Sequence, residues 1–267
     1  MSHTLRYTVN CSIMFTELPL LERPAAVKAA GFGAVEFWWP FTAAVPADAE
    51  VDAFVSAVRD AGVQLSGLNF FAGDMPGGDR GLVSWPDRSG EFVDNIGVAI
   101  GIGERLGCRA FNALYGNRVD GVDPGLQDEV ATANLVKAAA AAAAIGGTVL
   151  IEPVSGAAKY PLLTAADALA VIDRAQSAGA GDNIGLLADL FHLAVNGDDV
   201  DAVIANDIAR IAHVQIADAP GRGEPGTGDL ALQAQMSALQ EGGYDGWVGL
   251  EYKPTKATVD TFGWLSA

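Results

Sequence analysis

The sequence has few of the residues on which most reactive centres are built. Only two cysteines, Cys11 and Cys108, and three histidines occur in 267 residues. Two thiols cannot make a disulfide framework, which points to a reducing, cytoplasmic setting. Neither has a Cys or His neighbour at the spacing of a zinc or redox site. Three histidines are too few for a multinuclear zinc hydrolase. Positive charge is also scarce. Sixteen Lys plus Arg against 33 Asp plus Glu leave a net charge of −17, a field that repels nucleic acid and an anionic membrane surface. The most apolar stretch, Leu135–Ile145, is mostly alanine and far short of the ~20 residues of a bilayer span. Met1–Arg6 lacks the basic flank and apolar core of a signal peptide. No Walker loop, G-x-S-x-G elbow or G-x-G-x-x-G turn after the first strand is found, so no nucleotide cofactor is expected.

What is present is a regular alternation. Half of the residues are hydrophobic, which sets the chain apart from disordered sequences. Short runs rich in Val, Ile, Leu and Phe occur at Tyr7–Ile13, Ala34–Trp38, Gln64–Leu68, Ala110–Ala113, Thr148–Ile151, Ile184–Ala188, Ile211–Ile216 and Trp247–Leu250. Helical patterns lie between them at Leu20–Ala30, Asp48–Ala61, Ser89–Leu106, Gln127–Ala144, Ala165–Ala178, Asp198–Asn206 and Leu230–Glu241. Glycines such as Gly31, Gly62, Gly107, Gly146, Gly179 and Gly242 stop the helices. Eight strands apolar on both faces and separated by helices predict a parallel sheet covered on all sides. At this length the sheet is expected to close into a (β/α)8 TIM barrel, one domain over residues 1–267, with a doubly wound open sheet as the competing arrangement. The "GIGERLG" at Gly101–Gly107 falls inside a helical pattern and is read as a decoy, and Ala138–Ala144 as part of a tightly packed helix.

In such a barrel, chemistry sits at the C-terminal ends of the strands. The fifth strand ends in "LIEP" with Glu152, and the sixth in "LLADLFH" with Asp189 and then His192. The seventh carries Gln215 and the eighth ends in "GLEYKP" with Glu251. Four successive strands thus end in an oxygen donor. Any one of them has a plain reading as a loop cap. Together, three carboxylates would repel one another unless a cation lay between them. An all-oxygen set suits Mg2+ or Mn2+ better than Zn2+.

The other polar residues carry two readings each. His192 binds substrate, orients Asp189 or caps its loop. His213 reads as an inward structural residue hydrogen-bonded in the core. Arg222, in "DAPGRGEPGTGD", is placed to clamp a substrate carboxylate or is a solvated loop charge; Lys253 has the same two readings. Asn69 reaches a substrate hydroxyl or belongs to a turn. Trp38, Trp39 and Phe41 read first as packing, then as a pocket wall or a homo-oligomer contact.

With no nucleophile constellation, the chemistry narrows to metal-assisted acid–base work. Glu152 and Glu251 would face each other across the ion, and an enediolate could be stabilised between them. Proton removal by one and return by the other then gives an aldose–ketose isomerisation at the neighbouring carbon, or an epimerisation at the same carbon.

The segments "NCSIMFTELPLLER" (10–23), "GFGAVEFWWPF" (31–41), "GDRG" (78–81), "HVQIADAPGRGEPGTGDL" (213–230) and "GLEYKP" (249–254) resemble the hydroxypyruvate isomerase family of xylose-isomerase-like barrels, over essentially the whole chain. The resemblance implies interconversion of hydroxypyruvate and 2-hydroxy-3-oxopropanoate (tartronate semialdehyde). It also implies Glu152 and Glu251 as the proton-transfer pair, and Glu152, Asp189, Gln215 and Glu251 as ligands of a divalent metal. One departure stands out. After Glu152 the family tends to read "N-T-R-D-x-P-G", and this chain reads "PVSGAAKYPLL", with Lys159 the one nearby cation. A 2-oxo-tetronate isomerase and a ketose 3-epimerase are therefore alternatives, and a non-catalytic sugar-binding barrel is the alternative of another class.

Overall fold

The computed structural model describes residues 3–266. Eight parallel strands, β1 (Arg6–Asn10), β2 (Ala34–Phe37), β3 (Gln64–Asn69), β4 (Ala110–Asn112), β5 (Thr148–Ile151), β6 (Ile184–Asp189), β7 (Ile211–Ile216) and β8 (Trp247–Leu250), follow one another in chain order. Pairing of β1 with β8, Val9 opposite Leu250, closes the ring. The closed barrel excludes the open sheet. The helices are α1 (Arg23–Ala29), α2 (Asp48–Ala61), α3 (Ser89–Leu106), α4 (Pro124–Ala143), α5 (Ala165–Ser177), α6 (Leu190–Asn196), α7 (Val200–Asp207) and α8 (Leu232–Glu241). None is long and apolar enough to cross a membrane.

The helix ends follow local chemistry. Gly62 and Gly107 take left-handed φ values of 66° and 73° and end α2 and α3, a conformation that costs glycine nothing. Asp123 caps α4 through the Leu126 amide, so this helix starts earlier than the apolar pattern alone suggests, with Pro124 in its first turn. The first strand is shorter than its apolar run, because the chain turns at Cys11.

Two sequence features find a packing role. The alanine-rich helix α4 buries Ala131, Ala138, Ala139 and Ala142, small side chains that allow close approach to its neighbours. Its buried amides are tied across: Asn134 donates to the Val83 carbonyl (2.9 Å) and Gln127 to that of Ser84 (3.3 Å). "GIGERLG" lies within α3 as read. A Cβ at Gly103 would collide with the Phe111 ring on β4, so its glycine serves helix–strand contact rather than phosphate binding.

The barrel interior holds a polar centre below the mouth. Glu36 of β2 accepts hydrogen bonds at Oε1 from Gln215 (2.7 Å) and Asn10 (3.3 Å), and its Oε2 lies 2.8 Å from His213 Nε2. All four side chains are buried. Gly67 and Gly249 leave room for them; a Cβ at Gly249 would stand 2.5 Å from Glu36 Oε1. His213 is therefore the inward, hydrogen-bonded core residue that the sequence suggests.

Candidate active site

The C-terminal ends of the strands surround a cavity of about 1050 Å³. Its floor carries Glu152 and Glu251, and its rim includes Asn69, Val154, Ser155, His192 and Arg222. Trp38, Trp39, Phe41 and Phe71 form an apolar side. The aromatic trio after β2, read first as packing, thus walls the pocket, and Trp38 Nε1 also donates to Glu251 Oε1 (3.1 Å).

Asp189 is the last residue of β6 and the N-cap of α6, the short helix that the sequence reading lacked. Its Oδ1 accepts from the amides of Phe191 (2.9 Å) and His192 (3.3 Å), a capping pattern that fixes the carboxylate plane. Its Oδ2 is buried with no hydrogen-bond partner. Beside it in register is Gln215 on β7. The Glu36 carboxylate can only accept, so it holds the Gln215 amide nitrogen and turns Oε1 away, and that oxygen is also buried without a partner. Leaving a buried acceptor unpaired costs about 1–3 kcal/mol. Two such atoms on adjacent strands are an arrangement that a hard cation would satisfy.

Glu152 follows β5. Its Oε2 accepts from Asn112 Nδ2 (2.6 Å), and Tyr160 Oη donates to its carbonyl (2.9 Å). Burial first and the Asp189 charge second push its carboxyl up to about 8. Glu251 follows β8, with Asn10 donating to Oε2 (3.1 Å) and Arg222 Nη2 to Oε1 (2.7 Å). Burial holds its carboxyl well above the ordinary range; the Arg222 charge opposes this, and Glu152 and Asp189 add to it. Such a crowd of buried acids favours its charged form only if positive charge is brought in.

Ligand atoms of Glu152, Asp189 and His192 lie within 4.8 Å of one another, a cluster able to hold a metal ion. The role of His192 follows from its far side. The Ser155 amide donates to Nδ1 (3.0 Å), and Ser155 Oγ lies 2.7 Å from the same atom. Burial lowers the imidazole to about 4, so the ring is neutral near pH 7. A neutral ring accepting at Nδ1 carries its proton on Nε2. That N–H faces Asp189 Oδ2 at 3.6 Å and Glu152 Oε1 at 3.9 Å. It is a hydrogen-bond donor into the cavity, and the oxygens are left to ligate.

The structure brings Glu152, Glu251, Asn69, His192 and Arg222 to the cavity and Asp189 beside Glu152, whereas Gln215, in register with Asp189, is bonded to Glu36 and lines a small inner pocket instead. Arg222 points inward but bonds to Glu251 through both Nε (to the carbonyl, 3.2 Å) and Nη2, instead of presenting a free clamp. Lys253 is exposed and is not among the residues lining the cavity; its backbone amide donates to the Arg222 carbonyl (2.7 Å). The sequence reading passed over Glu36, Asn10, Asn112 and Ser155, which orient the site. A carboxylate set inside the apolar run "GAVEFWW" was a signal for the first; the others have none that a single sequence carries.

Residues 24–267 match the family described as xylose isomerase-like TIM barrel. A Streptomyces coelicolor protein assigned as a hydroxypyruvate isomerase is 54% identical, covering 98% of this chain and 96% of its own. A 2-oxo-tetronate isomerase of Cupriavidus necator is 35% identical, over 97% of both chains. Among solved structures, one titled AP endonuclease, family 2, from Brucella melitensis superposes with a TM-score of 0.88 at 31% identity, over 98% of each chain. Barrel, strand-end acids and sequence agree: the chain belongs to the xylose isomerase-like TIM barrels, within the hydroxypyruvate isomerase family.

Proposed function

We propose that this protein isomerises a small hydroxy-carbonyl acid, converting hydroxypyruvate and 2-hydroxy-3-oxopropanoate into one another. The observation that carries the proposal is the pair of buried glutamates, Glu152 and Glu251, in one cavity, with Glu152 clustered beside an Asp189 oxygen that has no hydrogen-bond partner. Glu152, Asp189, Gln215 and Glu251 would hold a divalent ion, Mg2+ or Mn2+, whose charge when bound stabilises the enediolate oxygens of the substrate.

The rest falls to the protein. One glutamate takes the proton from C3 of hydroxypyruvate, the other delivers a proton to C2, and the O3 hydroxyl proton passes to O2. No electron leaves the substrate, in keeping with a site that has no redox residue. Asn112 and Asn10 hold the two carboxylates in place from behind. His192 donates its Nε2–H to a substrate oxygen, with Ser155 fixing the tautomer. Trp38, Trp39 and Phe41 keep water from the exchanging proton.

The size of the cavity favours a second substrate of the same kind. A three-carbon acid occupies only part of about 1050 Å³, so a four-carbon 2-oxo-tetronate, named for a relative 35% identical, fits the same chemistry. The test is direct. Chelator-treated protein should stop converting hydroxypyruvate and regain turnover with Mn2+ or Mg2+, whereas full turnover in demonstrably metal-free buffer refutes the proposal. A non-catalytic sugar-binding barrel would show no metal-dependent conversion of either acid, and its ligand affinity would be unchanged in Glu251→Gln.

A further inference from the structure

Four arginines and no lysine line the cavity: Arg23, Arg80, Arg88 and Arg222. A carboxylate is bound best by the side edge of a guanidinium, Nε together with Nη2, whose parallel N–H groups match its two oxygens. That edge is filled in Arg88 and Arg222 and half taken in Arg23, whose Nε is engaged. Arg88 places Nε and Nη2 on the two oxygens of Glu91 (2.6 and 2.8 Å) and Nη1 on Asp79 (2.8 Å). Arg222 commits Nε and Nη2 to Glu251. Arg23 has Nε on the Leu18 carbonyl (3.0 Å) and Nη1 on that of Cys11 (2.7 Å).

Arg80 differs. Only its Nη1 is engaged, by the carbonyls of Met75 (3.0 Å) and Asp79 (2.6 Å), and no carboxylate neutralises it among the described residues. Its Nε–Nη2 edge is open. The backbone beneath it is held on both sides, by the Gly116 amide on the Arg80 carbonyl (3.0 Å) and the Gly81 amide on that of Ala72 (3.0 Å). Gly81 has φ 104°, and a Cβ there would run into the Leu114 carbonyl, so only glycine seats the arginine this way.

We propose that Arg80 binds the carboxylate of the substrate through its Nε–Nη2 edge and so makes the enzyme selective for acids over uncharged hydroxy-carbonyl compounds. The inference rests on the isomerase reading above and adds the group that recognises the acid. In a chain with a net charge of −17, an unpaired guanidinium in the cavity is the local attraction that an anionic substrate needs.

Dihydroxyacetone offers the comparison, since it is hydroxypyruvate with CH2OH in place of the carboxylate and isomerises by the same proton transfer. With the metal-loaded protein, Arg80→Gln should lower kcat/KM for hydroxypyruvate by roughly 30- to 100-fold, mainly through KM, as expected for a lost charged hydrogen-bond pair. Turnover of dihydroxyacetone should stay within about threefold of wild type, so that the preference for the acid collapses. Arg80→Lys keeps the charge without the fork and should recover only part of it. The proposal is overturned if Arg80→Gln keeps the acid preference, or if Arg23→Gln removes it instead. Should wild type turn over neither compound, the isomerase reading fails separately. Calorimetry with D-glycerate against glycerol then decides the role of Arg80, and equal glycerate affinity in wild type and Arg80→Gln refutes it.

Discussion

The barrel holds two groups of buried acids, and they differ in how well they are satisfied. Deep in the interior, Glu36 receives Gln215 and Asn10 on one oxygen and His213 on the other, with glycines cut away to seat it. Nearer the mouth, Asp189 has one oxygen capped by amides and the other without a hydrogen bond, only facing Arg222 (3.7 Å) and His192 (3.6 Å), and the Glu152 carboxyl is raised to about 8. The same residue types are used in both places. What sets the mouth apart is the unpaired oxygen of Asp189, since a buried acceptor without a partner is costly enough to need a reason; Glu251, with Asn10, Trp38 and Arg222 donating to it, is as well supplied as Glu36.

The strongest way to break this contrast is to neutralise the mouth. Glu152→Gln and Glu251→Gln should each lower turnover by about 10³-fold, the middle of the range for a lost acid–base group, with the fold intact by circular dichroism. Activity within tenfold of wild type would remove the glutamate pair from the reaction. The deep site should answer in stability instead. Glu36→Ala strands the donors of His213, Gln215 and Asn10 and should cost about 3–5 kcal/mol in denaturant unfolding. A change under 1 kcal/mol would mean that the interior network is slack.

Smaller effects sharpen the comparison. Asp189→Asn should weaken Mn2+ binding roughly 10- to 100-fold by calorimetry. His192→Ala should weaken it much less, because the histidine offers a donor; the reverse order would make His192 a ligand after all. Gly249→Ala pushes a methyl group against Glu36 and should cost about 1–3 kcal/mol, as overpacking does, while also displacing Gln215.

The pH dependence of the metal-free protein is the smallest signal. Between 4.5 and about 8 the folded protein holds a proton on Glu152 that the unfolded chain has lost, so this contribution to stability fades as pH rises. His192 acts oppositely, but only between about 4 and 6.5, where the unfolded chain binds the extra proton and stability grows with pH. Above pH 6.5 the glutamates act alone. The chelated protein should lose a few degrees of Tm from pH 6.5 to 8.5, with Mn2+ restoring most at the upper end, where no proton competes. A flat Tm across this range would contradict the raised carboxyl.

Much of this was legible in the sequence, and the limits have physical causes. Strand and helix periodicity with glycine stops leads to the closed barrel, and strand-end position leads to the proposed set of Glu152, Asp189, Gln215 and Glu251, of which Glu152 and Asp189 fall in one cluster, because both readings depend on local order along the chain. Lys253 lies outside the cavity lining for a different reason. It follows Glu251 by two residues, but the chain has already left the strand, so alternation no longer says where a side chain goes. The partners that aim the site are remote in sequence: Ser155 to His192 spans 37 positions and Gln215 to Glu36 spans 179. Only folding brings such pairs together. Arg80 lies in a turn-rich segment after β3 where no period operates, and its open edge is a matter of what its neighbours leave unbonded.

The double duty of Asp189 has a consequence for how a cation would be received at this end of the barrel. Because the backbone of α6 already grips one oxygen, the other keeps its aim whether or not anything is bound there. A cation bound here would therefore meet a carboxylate already aimed on the finished barrel, with no need to unravel the loop.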